Sequence, residues 1–251
     1  MASSLRRKCV ECFGIRFDYW SQVELVHELF EYDGPALLVV TPNVDHVVRA
    51  EQDSHFKAIY RASDICVNDS RVLLFLCRLI GVDLGGVVPG SDLTASLISK
   101  LSKTNTPITV IGASPASINC IKSLYSIDEL HHYNPPMGFI DDPLEVDKCI
   151  RFIVDHPSKF IFLAVGSPRQ EILARCAINA GASGVFLCIG ASLLFLSGEE
   201  KRAPLLVQKL SLEWLFRLMQ SPRRLARRYL VDGLRIFPLL VREMNFRRRN
   251  L

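Results

Sequence analysis

Residues 160–171 read Phe-Ile-Phe-Leu-Ala-Val-Gly-Ser-Pro-Arg-Gln-Glu, an unbroken apolar run that ends in a glycine, a proline and four polar residues. A short run that is apolar throughout is a strand buried on both faces, the kind found in parallel sheets. Gly166 permits close backbone approach and Pro168 suits a first helical turn. Gln170 then projects from a helix start toward the carboxyl end of the strand.

Moving outward, the same unit of strand, polar turn and helix recurs. Ala36 to Val40 runs into Thr41-Pro42-Asn43, and Ile65 to Val67 runs into Asn68-Asp69-Ser70. Thr106 to Ile111 runs into Gly112-Ala113-Ser114-Pro115, and Gly184 to Ile189 into Gly190-Ala191-Ser192. Helical periodicity or start and stop signals predict helices over Ser21 to Glu31, Asp45 to Arg61 and Leu144 to Asp155. Another reaches Lys103, where Gly90 frees the backbone and Ser91 or Asp92 can cap the helix. Alternation across residues 36 to 200 predicts an α/β fold: a Rossmann-like, mainly parallel sheet with helices on both faces.

The charge is divided unevenly. The chain is net +4, but residues 199 to 251 hold 13 Lys/Arg against 5 Asp/Glu, so the tail carries +8 and residues 1 to 198 carry −4. We place the domain boundary there: 1–198 as the α/β unit and 199–251 as a basic helical C-terminal appendage. Within it a helix is expected from Pro204 to Met219 and a second from Ser221-Pro222 to Val231. Asp232-Gly233 then acts as a break before a short helix to Met244. Arg217, Arg224, Arg228, Arg235 and Arg242 would line one face if those helices are continuous. Leucines, Trp214, Phe216 and Tyr229 interleave with them, as in a basic amphipathic helix lying on an anionic membrane surface. Nucleic acid would use the same charge, but the main domain is acidic and carries no nucleic-acid motif, so no nucleic-acid partner is expected.

Several classes lack support. The eight cysteines are scattered singly apart from Cys9-x-x-Cys12, which has no second pair to close a zinc site. The six histidines form no His-x-x-x-His, and neither a Walker loop nor Gly-x-Ser-x-Gly occurs. The loop after Val40 is Thr-Pro-Asn rather than glycine-rich, which argues against NAD. No metal and no cofactor are expected. No segment has the ~18 to 20 uninterrupted apolar residues of a membrane span.

The polar groups at strand ends carry what chemistry there is. Asp69 can accept a proton from a sugar hydroxyl, or it can cap the helix that follows. Asn43 and Gln170 can read a base or sugar through their amides, or hold their own loops. The helix after Gly112 can hold a phosphate on its free N–H groups.

Five segments occur in order: Thr41-Pro-Asn43-Val-Asp-His46, Pro89-Gly90-Ser91-Asp92-Leu93, Gly138-Phe-Ile-Asp141, Gly166-Ser-Pro168-Arg-Gln170-Glu171, and Lys201-Arg202-Ala203-Pro204 followed by Leu212-Glu213-Trp214-Leu-Phe-Arg217, Pro222-Arg223-Arg224 and Arg227-Arg228-Tyr229. In this the chain closely resembles the WecG/TagA/CpsF family of bacterial glycosyltransferases, glycosyltransferase family 26. The resemblance implies an inverting, metal-independent enzyme that moves a sugar from a UDP-sugar to a polyprenyl-pyrophosphate-linked acceptor. It would work from the cytoplasm, held peripherally at the inner face of the cell membrane, in exopolysaccharide, capsule or teichoic acid synthesis. It implies Asp69 as general base and Thr41, Asn43 and Gln170 in the pocket. Arg217, Arg224 and Arg227 would engage the acceptor pyrophosphate. We add Gly90, Ser91, Asp92, Gly112, Asp141 and Gly166 as substrate-binding candidates on these motifs and loops. A homo-oligomer is left open. The pattern departs at Val87, where the family has Arg, and at Leu194, where it has Asp; a non-catalytic UDP-sugar-binding or membrane-surface assembly protein is the alternative.

Overall fold

The computed structural model describes residues 8–104 and 106–249, with the side chain of Arg224 left outside the description. A hairpin of β1 (Cys9–Cys12) and β2 (Ile15–Asp18) comes first, and sequence periodicity gave no sign of it. It is followed by α1 (Gln22–Glu31), β3 (Leu37–Val40), α2 (Val44–Gln52), α3 (Ser54–Arg61), β4 (Ile65–Cys66) and α4 (Arg71–Leu79). Next come α5 (Gly90–Leu101), β5 (Ile108–Gly112), α6 (Pro115–Tyr125), β6 (Leu130–Tyr133), α7 (Pro143–Asp155), β7 (Phe160–Ala164), α8 (Arg169–Asn179), β8 (Val185–Cys188) and α9 (Ser192–Leu196). The C-terminal helices are α10 (Leu205–Lys209), α11 (Glu213–Gln220), α12 (Pro222–Arg227) and α13 (Ile236–Arg249).

The six strands from β3 onward form one parallel sheet in the order β4-β3-β8-β7-β5-β6. Its strands divide their side chains between two cores, as the period of two requires. Leu38, Val40, Ile161, Leu163 and Phe186 face one core with α2, α3, α4, α7 and α8. Leu37, Val39, Phe160, Phe162 and Leu187 face the other with α1, α5, α6 and α9. The α/β architecture with helices on both faces is therefore as the apolar runs predicted. The hairpin protects the β4 edge: Asp18 Oδ2 accepts the Cys66 amide at 2.9 Å, and Arg16 bonds the Asp64 carbonyl at 2.6 Å.

Four expectations need correction. The helix expected from Asp45 to Arg61 is two helices, because Asp53 adopts φ −128° and turns its carboxylate to cap α3 through the Phe56 amide at 3.0 Å. The helix expected from Pro204 to Met219 breaks at Ser211, which has φ +60°. Asp232-Gly233 is no break: Gly233 has φ −61° and ψ −31°, and a π turn (Arg228–Asp232) and a 3-10 turn (Gly233–Arg235) carry the chain straight into α13. α13 is also longer than expected. It buries Ile236 and Leu240 in the core that holds α2 and β3, so the basic tail folds back onto the α/β unit.

Candidate active site

Because the sheet is parallel, every strand's carboxyl end opens on one edge, where ligands bind in open α/β sheets. Asp69 stands there, just past β4, with its amide on the Pro42 carbonyl at 3.0 Å. Capping α4, the alternative role, is taken by its neighbour: Ser70 Oγ accepts the Leu73 amide at 3.1 Å. The Asp69 carboxylate turns instead to the loop opposite. Oδ1 accepts the Gly90 amide at 2.7 Å, and Oδ2 accepts Asn43 Nδ2 at 3.4 Å. Gly90 opens α5, so Asp69 sits on one of that helix's unpaired N–H groups at its positive end. Thr41 completes the cluster. A Cβ on Gly90 would come within 2.9 Å of Thr41 Oγ1 and 3.7 Å of Asp69 Oδ1, so this approach demands glycine.

Asn43 serves scaffold and site together. Its Oδ1 caps α2 by accepting the Asp45 amide at 3.0 Å, while its backbone N–H donates to His46 Nδ1 at 3.1 Å. Burial pushes the His46 imidazole down to about 3, with Arg228 and Arg49 adding repulsion, so the ring is a neutral acceptor. Burial likewise raises Asp69 above the ordinary carboxylate range. The Gly90 amide, Asn43, Arg217 and Arg228 oppose that rise without cancelling it. A carboxylate made more basic by its surroundings, yet still partly open to solvent, is suited to remove a proton from a hydroxyl.

The arginines do not form the single stripe their spacing suggested, because Ser221 (φ −139°, ψ 64°) interrupts the helical path between α11 and α12. Arg217 lies over the Phe195 ring at 5.5 Å and acts on Asp69 electrostatically. Arg228 bonds Asp45 on α2 at 3.1 Å, and Arg242 reaches Glu51 on the same helix. Arg227, by contrast, has a side chain 86% exposed, 4.0 Å from Asp232. Arg224 is on α12, and its side chain lies outside the described residues.

The remaining strand ends behave differently. Ser91 and Asp92 do not cap α5, whose N-cap is Pro89; Asp92 takes Arg202 instead. At the α6 N-terminus beyond Gly112, Ser114 Oγ caps the helix by accepting the Ser117 amide at 3.0 Å and donates to Glu199 Oε1 at 3.3 Å, and Ser117 Oγ bonds the same oxygen. Gly166 closes the turn into α8 by accepting the Gln170 amide at 3.0 Å. Gln170 is buried, accepting the Gly190 amide at 2.9 Å and donating to Glu171 Oε1 at 3.0 Å; Tyr60 donates to that same oxygen at 3.1 Å. Asp141 is exposed in a 3-10 turn (Phe139–Asp141) that follows β6, the strand at the opposite edge of the sheet from β4. The structure thus gathers Thr41, Asn43, Asp69, Gly90 and Arg217, and no contact joins Asp141 to them among the described residues.

The glycosyl transferase WecG/TagA/CpsF family matches residues 10–250, nearly the whole chain. This chain belongs to that family. It is similar to the N-acetylglucosaminyldiphosphoundecaprenol N-acetyl-beta-D-mannosaminyltransferase of Bacillus spizizenii (strain W23), with 28% identity over 191 residues, covering 74% of this chain and 72% of the relative.

In this glycosyltransferase two side chains at the site escaped sequence reasoning. Arg228 was placed on the membrane face, yet it pairs with Asp45 and acts on both Asp69 and His46. Arg202, within Lys-Arg-Ala-Pro, has no local signal of a role, yet it bonds Asp92 two residues from Gly90. Neither was recoverable from local pattern, because each reaches the site through the tail's tertiary docking.

Proposed function

We propose that the chain transfers a sugar from a UDP-sugar to a polyprenyl-pyrophosphate-linked saccharide, with inversion and without a metal ion, in bacterial cell-surface polysaccharide synthesis. Two things support the substrate class: family membership, and a relative whose name specifies a diphosphoundecaprenol acceptor. The observation that carries the mechanism is the Asp69 carboxylate, held by Gly90 and Asn43, raised in basicity by burial and faced by arginines.

In this reading Asp69 takes the proton of the acceptor hydroxyl as its oxygen bonds the donor's C1. The bond from C1 to the UDP oxygen breaks with its electron pair leaving on the diphosphate, so a single displacement inverts C1. Arginines meet the charge that develops on the leaving group, Arg217 foremost, with Arg228 better placed than the exposed Arg227. Among the described residues no three His, Cys, Asp or Glu side chains cluster as metal ligands.

The residues beyond 198 form the appendage that brings this edge to a membrane. Most of the large apolar side chains left exposed lie there, including Leu205, Leu206, Leu210, Met219, Phe237 and Phe246, beside exposed Lys209, Arg223, Arg235 and Arg248. Among the described residues no helix is long and apolar enough to cross a membrane, so the attachment proposed is peripheral. The test is transfer from UDP-sugars to a synthetic polyprenyl-diphospho-sugar by the unaltered chain and by Asp69→Asn. Loss of a general base lowers turnover by about 10²- to 10⁴-fold, and near-normal turnover would remove Asp69 from the mechanism.

A further inference from the structure

Arg202 lies in the segment joining α9 to α10 and is half-buried against α5. Its Nη1 donates to Asp92 in the first turn of that helix, two residues from the Gly90 amide that holds Asp69. Its Nε and Nη2 are both shielded from solvent, and neither has a hydrogen-bond partner among the described residues. These two nitrogens form one edge of the guanidinium, with parallel N–H bonds that match a pair of oxygens on one phosphorus.

Leaving both donors of a fork buried and unpaired is unfavourable, and such orphans in a native fold call for an explanation. The charged groups facing this arginine are Asp92, Glu213 and Asp69; they hold it protonated, and none of them bonds the free edge. The loop beside Asp69, Val82-Asp83-Leu84-Gly85-Gly86-Val87-Val88-Pro89, supplies no cation of its own. Its Val88 amide is tied to the Asn68 carbonyl at 2.8 Å and so is not free for an anion, which leaves cations of other segments to supply charge beside Asp69.

We propose that Arg202 is a substrate-binding residue, its Nε–Nη2 edge gripping a diphosphate group beside Asp69 while Asp92 sets its orientation. The proposal rests on the Asp69 edge being the place of sugar transfer. Donor and lipid-linked acceptor both carry a diphosphate, and the experiment separates them.

Arg202→Gln and Arg202→Lys in the full chain are compared with the unaltered protein by calorimetric titration of UDP and by steady-state kinetics in each substrate. Removing a charge-assisted fork weakens one diphosphate ligand by about 10- to 100-fold. A fall in UDP affinity with a raised donor KM assigns the fork to the donor. Unchanged UDP affinity with a raised acceptor KM assigns it to the lipid diphosphate. Lysine keeps the charge but loses the fork, so Arg202→Lys recovers only part of the loss. Should Arg202→Gln fail to fold, Arg202→Lys carries the same comparison. Folded variants with unchanged UDP affinity and both KM values unchanged overturn the proposal. An unaltered chain that neither binds UDP nor transfers from any UDP-sugar overturns the transferase reading beneath it as well.

Discussion

Asp69 and Glu171 are both carboxylates at the carboxyl edge of one parallel sheet, and burial raises both above their ordinary range. Their partners differ. Glu171 is 1% exposed and is held by the Tyr60 hydroxyl and the Gln170 amide, which in turn fixes Gly190. Asp69 keeps part of its surface open, bonds a helix N-terminus, and has Arg217 and Arg228 acting on it. Desolvation alone therefore does not separate the carboxylate proposed as base from a structural one. Access to solvent and facing cations do.

The largest expected effect splits the pair. Asp69→Asn loses about 10²- to 10⁴-fold in turnover, whereas Glu171→Gln, isosteric and able to keep both hydrogen bonds as acceptor, stays within a few-fold. Thermal melts add an independent readout. A folded-state pKa above the unfolded value means the folded chain holds its proton more tightly, and that stabilisation is lost as pH rises through the raised pKa. Ionised Asp69 thus costs stability at neutral pH, and Asp69→Asn is expected to melt no lower than the unaltered chain. Equal loss of activity in both variants would break the comparison.

Next in size is a pair of glycines. Gly90→Ala drives a Cβ to 2.9 Å from Thr41 Oγ1 and spoils the amide that holds Asp69, so transfer falls by about 10- to 100-fold with modest loss of stability. Gly112 has φ +92°, and a Cβ there would lie 2.8 Å from Val165 Cγ1 and 2.9 Å from the Ala164 carbonyl carbon. Gly112→Ala should therefore cost about 1–3 kcal/mol of stability and spare the turnover of the folded fraction. Denaturant unfolding with activity per folded molecule distinguishes the two. The reverse pattern would shift the reactive centre toward β5.

A smaller effect separates two neighbouring arginines. Arg228→Gln removes the ion pair to Asp45 and a cation acting on Asp69, and should lower kcat/KM by about tenfold, as losing one charge-assisted contact does. Arg227→Gln, altering a side chain 86% exposed, should change it less than about twofold. A larger effect at Arg227 would show that the tail rearranges when acceptor binds.

The fold was readable where burial is two-sided. Leu37–Val40, Ile108–Gly112, Phe160–Ala164 and Val185–Cys188 are short runs, apolar apart from Thr109, followed closely by polar or glycine turns, as two-sided burial in a parallel sheet requires. β6 was missed because Leu130-His-His-Tyr133, at the sheet edge, carries polar residues inside the strand. The breaks at Asp53 and Ser211 were hidden because helical composition continues across them, and one residue's dihedrals decide each. At the site, Thr41, Asn43, Asp69 and Gly90 could be singled out because polar residues at strand ends and helix starts share one edge. Sequence could not show that Gln170 is occupied by Gly190, or that Glu199 bonds two serines of the first α6 turn. Nor could it show that Arg202 and Arg228 turn inward, since those facts depend on how the tail docks.

The smallest effect lies within the Asp69 half, where Asn43 links the proposed base to His46. That imidazole is held down to about 3, so between the unfolded value of about 6.5 and that point the unfolded chain binds a proton that the folded chain refuses. Stability from this group is therefore complete above about pH 6.5 and falls as the solution is acidified, by at most about 1.4 kcal/mol per pH unit. Glutamine at position 46 can still accept the Asn43 amide, as the capping box allows, but does not titrate. Across pH 6.5 to 4.5, His46→Gln should lose stability less steeply than the unaltered chain while showing the same rise of activity with pH, because that rise belongs to Asp69. Parallel stability curves would mean that His46 becomes protonated in the folded state. A displaced activity profile would instead make His46 part of the chemistry rather than its scaffold.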